Sequence, residues 1–416
     1  MLAPRIFSRS ALAITASVVC CVSPVVLGAD WPQLLGPARD GTTVDPVHVP
    51  FAAQGPSRLW NHKIGQGFAG PVIADGKVVL FHRVSDEEVV EAFDLETGKL
   101  RWRHAYPTAY SDDFGFDEGP RGTPCVRGGR VVTFGAEGRL TCVSLVDGKQ
   151  LWQLDTKAQF HADKGFFGPA CSPLIEGALV LLNIGGKDGA GVAAFAIETG
   201  KLAWKLTDDE AGYASPVTIG DAGGHLALFF TRSGLVGVEP TAGKLRFEFP
   251  WRARMHASVN AASPVVAGDQ ILLTSSYGAG AVLLRLKPGG GGVEKVWSGD
   301  DSISAHYATP VKHGAFLYGF HGRQESGTRL RCIEWLDGSV RWETEMKAGT
   351  IAVAGDKLVI LAESGELTIA TASTDAFNPL ARAQILGSGT RAPFALSRGL
   401  LVARDKALIV ALDLRP

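Results

Sequence analysis

Asp94-Leu95-Glu96-Thr97-Gly98-Lys99-Leu100-Arg101-Trp102 decides how this chain is read. A polar residue, a glycine and then a tryptophan four positions on describe a tight turn feeding a strand with one bulky aromatic. The unit returns as Asp147-Gly148 to Trp152, Glu198-Thr199-Gly200 to Trp204 and Asp337-Gly338 to Trp342. At Gly243 the aromatic is Phe247, and in the next copy the turn stretches over Gly289–Gly292 before Trp297. A constant spacing that recurs along a chain marks a repeat architecture.

The other half of each copy is a small residue, often Ser or Thr, followed by Pro and an apolar pair. It reads Gly70-Pro71, Thr123-Pro124, Ser172-Pro173, Ser215-Pro216, Ser263-Pro264, Thr309-Pro310 and Ala392-Pro393, with a degenerate copy at Thr350-Ile351. Between the halves lie short aliphatic or β-branched runs such as Val78–His82 and Leu179–Asn183, then alternating strands such as Val90–Asp94. Helical periodicity is nowhere sustained. Four short strands per copy predict propeller blades, and the copies number eight. The last copy, from Pro393 to Leu414, lacks a turn and aromatic strand. Arg58-Leu59-Trp60-Asn61-His62-Lys63-Ile64 reads as that missing strand. The expectation is an all-β, eight-bladed propeller of four-stranded antiparallel blades, closed by the N-terminal strand joining the C-terminal blade, because an open ring would leave unpaired edges.

Composition agrees and excludes alternatives. Of 416 residues, 46% are hydrophobic and 20% charged, enough for a sizeable core. Glycine numbers 51, which suits many tight turns. The net charge of −1 offers no basic excess for nucleic acid. Arg5 and Arg9, the apolar run Ala11 to Val22, and the small residues Gly28 and Ala29 read as an export signal over residues 1–29. An uncleaved anchor or a lipid attachment at Cys20 are the alternatives, the latter weakened by Val19 before it. Residues 30–57 read as an N-terminal extension and 58–416 as the propeller. No membrane span is expected once the signal is removed, and the chain is expected to be exported, periplasmic or extracellular. After cleavage Cys125, Cys142, Cys171 and Cys332 remain, with no metal or haem spacing. Cys142 and Cys332 share one repeat position with Ala92, Ala194 and Gly237 and read as buried free thiols.

The repeat resembles the blades of PQQ-like propellers, in which a tryptophan docks between neighbouring blades. Asp30-Trp31-Pro32-Gln33, Gly36-Pro37, Gly119-Pro120-Arg121-Gly122-Thr123-Pro124 and Glu363-Ser364-Gly365-Glu366-Leu367 are similar to exported bacterial members, BamB-related, of the quinoprotein alcohol dehydrogenase-like superfamily. The resemblance covers residues 30–416. It implies that Trp60, Trp102, Trp152, Trp204, Trp297 and Trp342 are structural wedges. It leaves function open among a binding or protein-interaction scaffold, a PQQ-dependent alcohol dehydrogenase-type oxidoreductase and a BamB-like outer-membrane assembly factor. Among quinoprotein dehydrogenases an adjacent-cysteine disulfide is usual; here only Cys20-Cys21 corresponds, within the export signal.

Catalytic signatures are missing: no Gly-x-Ser-x-Gly elbow, no His-Glu-x-x-His helix and no phosphate loop. No catalytic residue, metal ligand or cofactor is therefore expected, with PQQ and a divalent cation only under the oxidoreductase alternative. Asp112, Asp113, Asp117 and Glu118 read as a solvated acidic loop. The repeat register gathers a polar ring on one face, including Tyr213, Asn260, Tyr277 and Arg323. Within it Arg121, Glu137, His306, Glu363, Arg404 and Asp405 are the candidate contacts for an envelope protein or a polar small ligand.

Overall fold

The computed structural model describes residues 1, 29–51, 55–221 and 224–415. Most of the expected export signal, residues 2–28, lies outside the described residues. The chain is nearly all β, and among the described residues eight four-stranded antiparallel blades form a closed ring. Blade 1 is Val72–Ala74, Lys77–Val84, Glu87–Asp94 and Leu100–Pro107; blade 2 is Cys125–Arg127, Arg130–Phe134, Arg139–Ser144 and Gln150–Asp155. Blades 3 to 7 begin at Leu174, Val217, Val265, Val311 and Gly349 in the same pattern. Blade 8 is Ala395–Ser397, Leu400–Arg404 and Leu408–Asp413, completed by Ser57–Lys63. Trp60 pairs with Ala411 and Lys63 with Leu408, so the first propeller strand closes the last blade.

The spacing of the repeat has a geometric cause. In every blade the pairing of the third and outer strands carries one irregularity beside the aromatic position. Such a bulge re-aims a side chain. It turns the aromatic onto the next blade, where its indole N–H finds a carbonyl. Trp60 donates to Leu95 O at 2.8 Å, Trp102 to Leu145 O at 2.9 Å and Trp152 to Ile197 O at 2.7 Å. Trp204, Trp297 and Trp342 donate to Pro240 O, Trp335 O and Ser373 O. Each ring but that of Trp342 lies on the turn glycine of the blade it meets. At Gly98, φ is +67° and a Cβ would come within 2.6 Å of the Trp60 ring, so glycine is required twice over. Trp60, Trp102, Trp152 and Trp342 are buried, whereas Trp204 and Trp297 are only half-buried.

Opposite the tryptophan on the third strand the side chain is small except at Leu283, which faces the half-buried Trp297. Ala92, Cys142, Ala194 and Cys332 occupy that position. All four cysteines among the described residues are buried and free.

A second repeated bond lines the channel. The hydroxyl of each Ser/Thr-Pro pair accepts an N–H from the preceding blade. Gly70 N donates to Thr123 at 3.0 Å, Thr123 N to Ser172 at 2.8 Å and Ser172 N to Ser215 at 2.8 Å. Ser215 N donates to Ser263 at 3.2 Å and Ser263 N to Thr309 at 2.9 Å. This belt satisfies buried backbone donors that no strand ladder reaches. It stops at blade 7, where Thr350 Oγ1 is buried with no partner among the described residues.

The N-terminal segment crosses the channel as a strap and takes over there. Trp31 exchanges backbone bonds with Ile73 of blade 1, and Pro32 O accepts from Val126 of blade 2. The Arg39 guanidinium, almost wholly buried, donates to Ser172 O and Pro173 O at blade 3. Thr42–Thr43 then adds a parallel fifth strand to the inner strand of blade 7. The Asp45 carboxylate accepts from Arg398 N, and His48 N donates to Leu414 O, both in blade 8.

Candidate functional site

The strap gives the channel a floor. Above it, at the end where each inner strand begins, lies a cavity of about 520 Å³. Trp31, Leu34 and Leu35 of the strap line its base. Ala, Val and Ile side chains such as Ala261, Ala308 and Ile351 line its waist, together with the belt residues. The belt oxygens already accept backbone N–H groups, so the waist is less polar than its Ser and Thr content suggests.

The mouth is built by two long loops entering blades 2 and 3, and they are rich in phenylalanine. Phe114 and Phe116 on one meet Phe167 on the other at ring-centroid distances of 5.2 and 6.2 Å. Lys164 Nζ to Asp113 Oδ1, at 2.6 Å, ties the loops together. The Tyr213 hydroxyl accepts from Phe166 N and Phe167 N, which anchors the second loop to blade 4. Asp112 does not lie in solvent as its sequence context suggests. Its side chain is buried and accepts from the backbone of Phe116 and Asp117, a turn-forming role. Those bonds, with Arg121 nearby, hold its carboxyl below the usual range against the opposing effect of burial.

Arg121 and His306 reach the cavity. The Arg121 guanidinium sits 5.6 Å from the Phe68 ring, 5.7 Å from Tyr110 and 5.5 Å from Phe167, with Asp112 Oδ2 at 3.4 Å. His306 is wedged edge-on between Tyr277 and Tyr307. Its Nδ1 contacts Gln324 Oε1 at 2.8 Å and its Nε2 contacts the Tyr277 hydroxyl at 2.9 Å. Burial lowers its pKa, so the ring is neutral, with Nδ1–H donating and Nε2 accepting. His321 is placed elsewhere, against Arg331.

The other four candidates stand behind the lining. Glu137 accepts from Thr108 Oγ1 and Ala109 N, both at 2.8 Å, and fixes the root of the first aromatic loop. Glu363 accepts from the Tyr307 hydroxyl and pairs with Arg391 at 3.2 Å. Arg404 is fully buried and donates to Gly65 O and Asp405 O; desolvation brings its pKa down to about 10. The Asp405 carboxylate caps a turn, accepting from Gly387, Ala407 and Leu408 N–H groups.

Sequence reasoning missed the apolar part of the site: Phe68, the two Phe-rich loops, Arg391 and the strap floor. The dipeptide Phe166-Phe167 and the triplet Phe114-Gly115-Phe116, at equivalent loop positions of successive copies, are the signal that would have found the loops.

The charged side chains on the lining are already matched. Besides Arg121 with Asp112 and Arg391 with Glu363, Arg323 pairs with Glu325 at 3.3 Å while lying 4.5 Å over the Tyr277 ring. Arg232 pairs with Glu210 and covers Phe166. Among the described residues no three His, Cys, Asp or Glu side chains gather to hold a metal ion.

Comparison with known proteins places this architecture. A family model described as outer membrane protein assembly factor BamB matches residues 85–344. The dehydrogenase subunit of a quinone alcohol dehydrogenase from Acetobacter aceti is 28% identical over 145 residues, 33% of this chain and 19% of the relative. The corresponding subunit from Komagataeibacter europaeus is 28% identical over 144 residues, with the same coverage. The matched region thus spans about a fifth of the length of these curated relatives. Among solved structures, BamB from Moraxella catarrhalis shares the fold at a TM-score of 0.62 and 13% identity, over 86% of this chain and 97% of that one. The quinohemoprotein alcohol dehydrogenase of Comamonas testosteroni does so at 0.64 and 14%, over 92% and 80%. With the eight blades, the tryptophan docking and a family match over more than half its length, the chain belongs to the PQQ-like β-propeller family described as outer membrane protein assembly factor BamB.

Proposed function

We propose that the protein is a non-catalytic binding propeller of the cell envelope, exported to the periplasm or beyond, with the floored channel mouth as its binding site. The observation that carries this reading is the blind cavity itself, aromatic at its mouth and lined by arginines that already have carboxylate partners. Its volume lies in the range of roughly 300–1,000 Å³ ordinary for small-molecule sites. Among the described residues His306 is the one imidazole on the lining, and both its nitrogens are engaged, so no free imidazole among them faces the cavity.

Two other readings have support. The alcohol dehydrogenase relatives favour a quinone-dependent oxidoreductase. The donor set does not fit that group. Among the described residues Glu325 is the one carboxylate on the lining, it is paired with Arg323, and no second carboxylate joins it to hold a divalent cation. The family match favours a role in outer-membrane protein assembly, in which the propeller docks partners through loops or a sheet edge.

Absorbance spectra and metal analysis of the protein purified from its own envelope test the proposal. The expected result is no quinone band and no stoichiometric divalent metal. A quinone present at one per chain would overturn it.

A further inference from the structure

The cavity has two unlike walls. Toward blades 1 to 3 it is aromatic: Phe68 and Phe167 face the opening around Arg121, and Phe116 lies under Arg391. Toward blades 5 to 7 it is polar, and its charges, Arg323 and Glu325, are paired with each other. There the hydroxyl of Tyr277 and the amide of Gln324 stand beside neutral His306. The tautomer that satisfies both contacts of His306 places the Gln324 carbonyl on Nδ1–H. The Gln324 NH₂ group then has no protein partner among the described residues. Polar groups left with spare hydrogen-bonding capacity on a cavity wall can orient a ligand that supplies the complement.

Charge argues as strongly. A carboxylate ligand would have to displace Asp112, Glu325 or Glu363 from its arginine. A cationic ligand would find those carboxylates taken and three guanidiniums nearby. We infer that the channel mouth takes a small uncharged aromatic compound with one hydrogen-bonding edge, its ring against Phe68 and Phe167 and its polar edge toward Gln324. This rests on the reading of the mouth as a binding site and adds the chemical class of what it binds.

The probe is 2-naphthol, neutral at pH 7, titrated calorimetrically into the full exported chain beside 2-naphthoate and 2-naphthylmethylammonium. One naphthol per chain is expected, at least tenfold tighter than either charged analogue. Phe167→Ala should weaken naphthol at least tenfold, and Gln324→Leu several-fold in protein that still folds. Glu325→Gln releases Arg323 and should improve naphthoate binding while leaving naphthol unaffected. Equal or tighter binding of a charged analogue overturns the proposal. So does failure of naphthol to bind up to its solubility, or indifference to both Phe167→Ala and Gln324→Leu in folded protein. Bound quinone in the purified protein would instead overturn the non-catalytic reading, and spectra taken before titration separate the two failures.

Discussion

The channel wall is held in two different ways on its two sides. From blade 1 round to blade 6 a belt of Ser and Thr hydroxyls passes hydrogen bonds from blade to blade. Across blades 7 and 8 the repeat lapses. Thr350 Oγ1 has no partner among the described residues, Ala392 has no hydroxyl, and the carbonyl of Pro393 comes so close to Gly70 that a Cβ there would lie 2.5 Å from it. On that side the non-repetitive strap does the joining, through its strand at Thr42–Thr43 and its Asp45 contact. The outer rim repeats the contrast. Six junctions carry an indole docked on the next blade, blade 4 presents Phe247 without an N–H to donate, and blade 7 places Ala381 opposite Ile369. Repetition supplies the frame, and the segment outside the repeat supplies both the missing link and the floor of the site.

The largest effect should come from removing that segment. Deleting residues 30–64 takes away the strap and the strand that completes blade 8, leaving an open edge beside an unclosed belt. Aggregation or loss of a cooperative melt is expected, and an unchanged melting curve would refute closure by this strand.

Next are the rim tryptophans. Trp102→Ala, Trp152→Ala and Trp342→Ala should each cost about 3–5 kcal/mol in urea unfolding, from the cavity and the orphaned carbonyl. Trp204→Ala should cost less, because that ring is only half-buried. Losses below about 1 kcal/mol at two of the buried sites would show that the docking contributes little.

The belt gives a smaller and more pointed contrast. Ser215→Ala leaves Ser172 N–H without an acceptor and should cost about 1–3 kcal/mol. Thr350→Val removes a hydroxyl with no partner and should leave stability within about 0.5 kcal/mol or raise it. Equal costs at the two positions would erase the distinction between the two sides of the ring.

Acidification should have the mildest effect. Burial holds His82 and His306 below the ordinary imidazole value of 6.5 in the folded chain. Their unfolded forms therefore bind more protons just below that value. Stability is full above about pH 6.5 and falls as pH drops toward the folded pKa values. Melting temperature measured from pH 7.5 to 5 should decline, and His306→Gln should flatten the decline. A melt that is flat or rises on acidification would contradict the neutral assignment of both rings.

Much of this frame was legible residue by residue. Gly98 with Trp102, Thr123 with Pro124, and the stray strand around Trp60 each announced a contact that the ring makes. The site was legible only in part. Arg121 and His306 lie where the repeat register placed them, on the lining. Arg404 ends a strand of blade 8 and Asp405 follows it, yet their side chains bond behind the lining, to Gly65 O and to the N–H groups of Gly387, Ala407 and Leu408. Register assigns a loop to a face of the ring; it does not say whether a side chain points to the channel or back into the sheet. The acidic insertion misled for a related reason, since Asp112 spends its charge on its own backbone and on Arg121.

What the sequence by itself determined is the periodic part: the number of blades, the docking of the tryptophans and the closing strand. These follow from short-range patterns that recur, so one copy explains the others. Only the tertiary structure decided the path of residues 29–49, the floor made by Trp31, Leu34 and Leu35, and the pairing of each mouth arginine. Those rest on single contacts between distant segments, such as Arg39 with Ser172 and Asp45 with Arg398. A contact made once leaves no period to read, and its energy comes from burial and hydrogen bonding that exist only after the ring has closed.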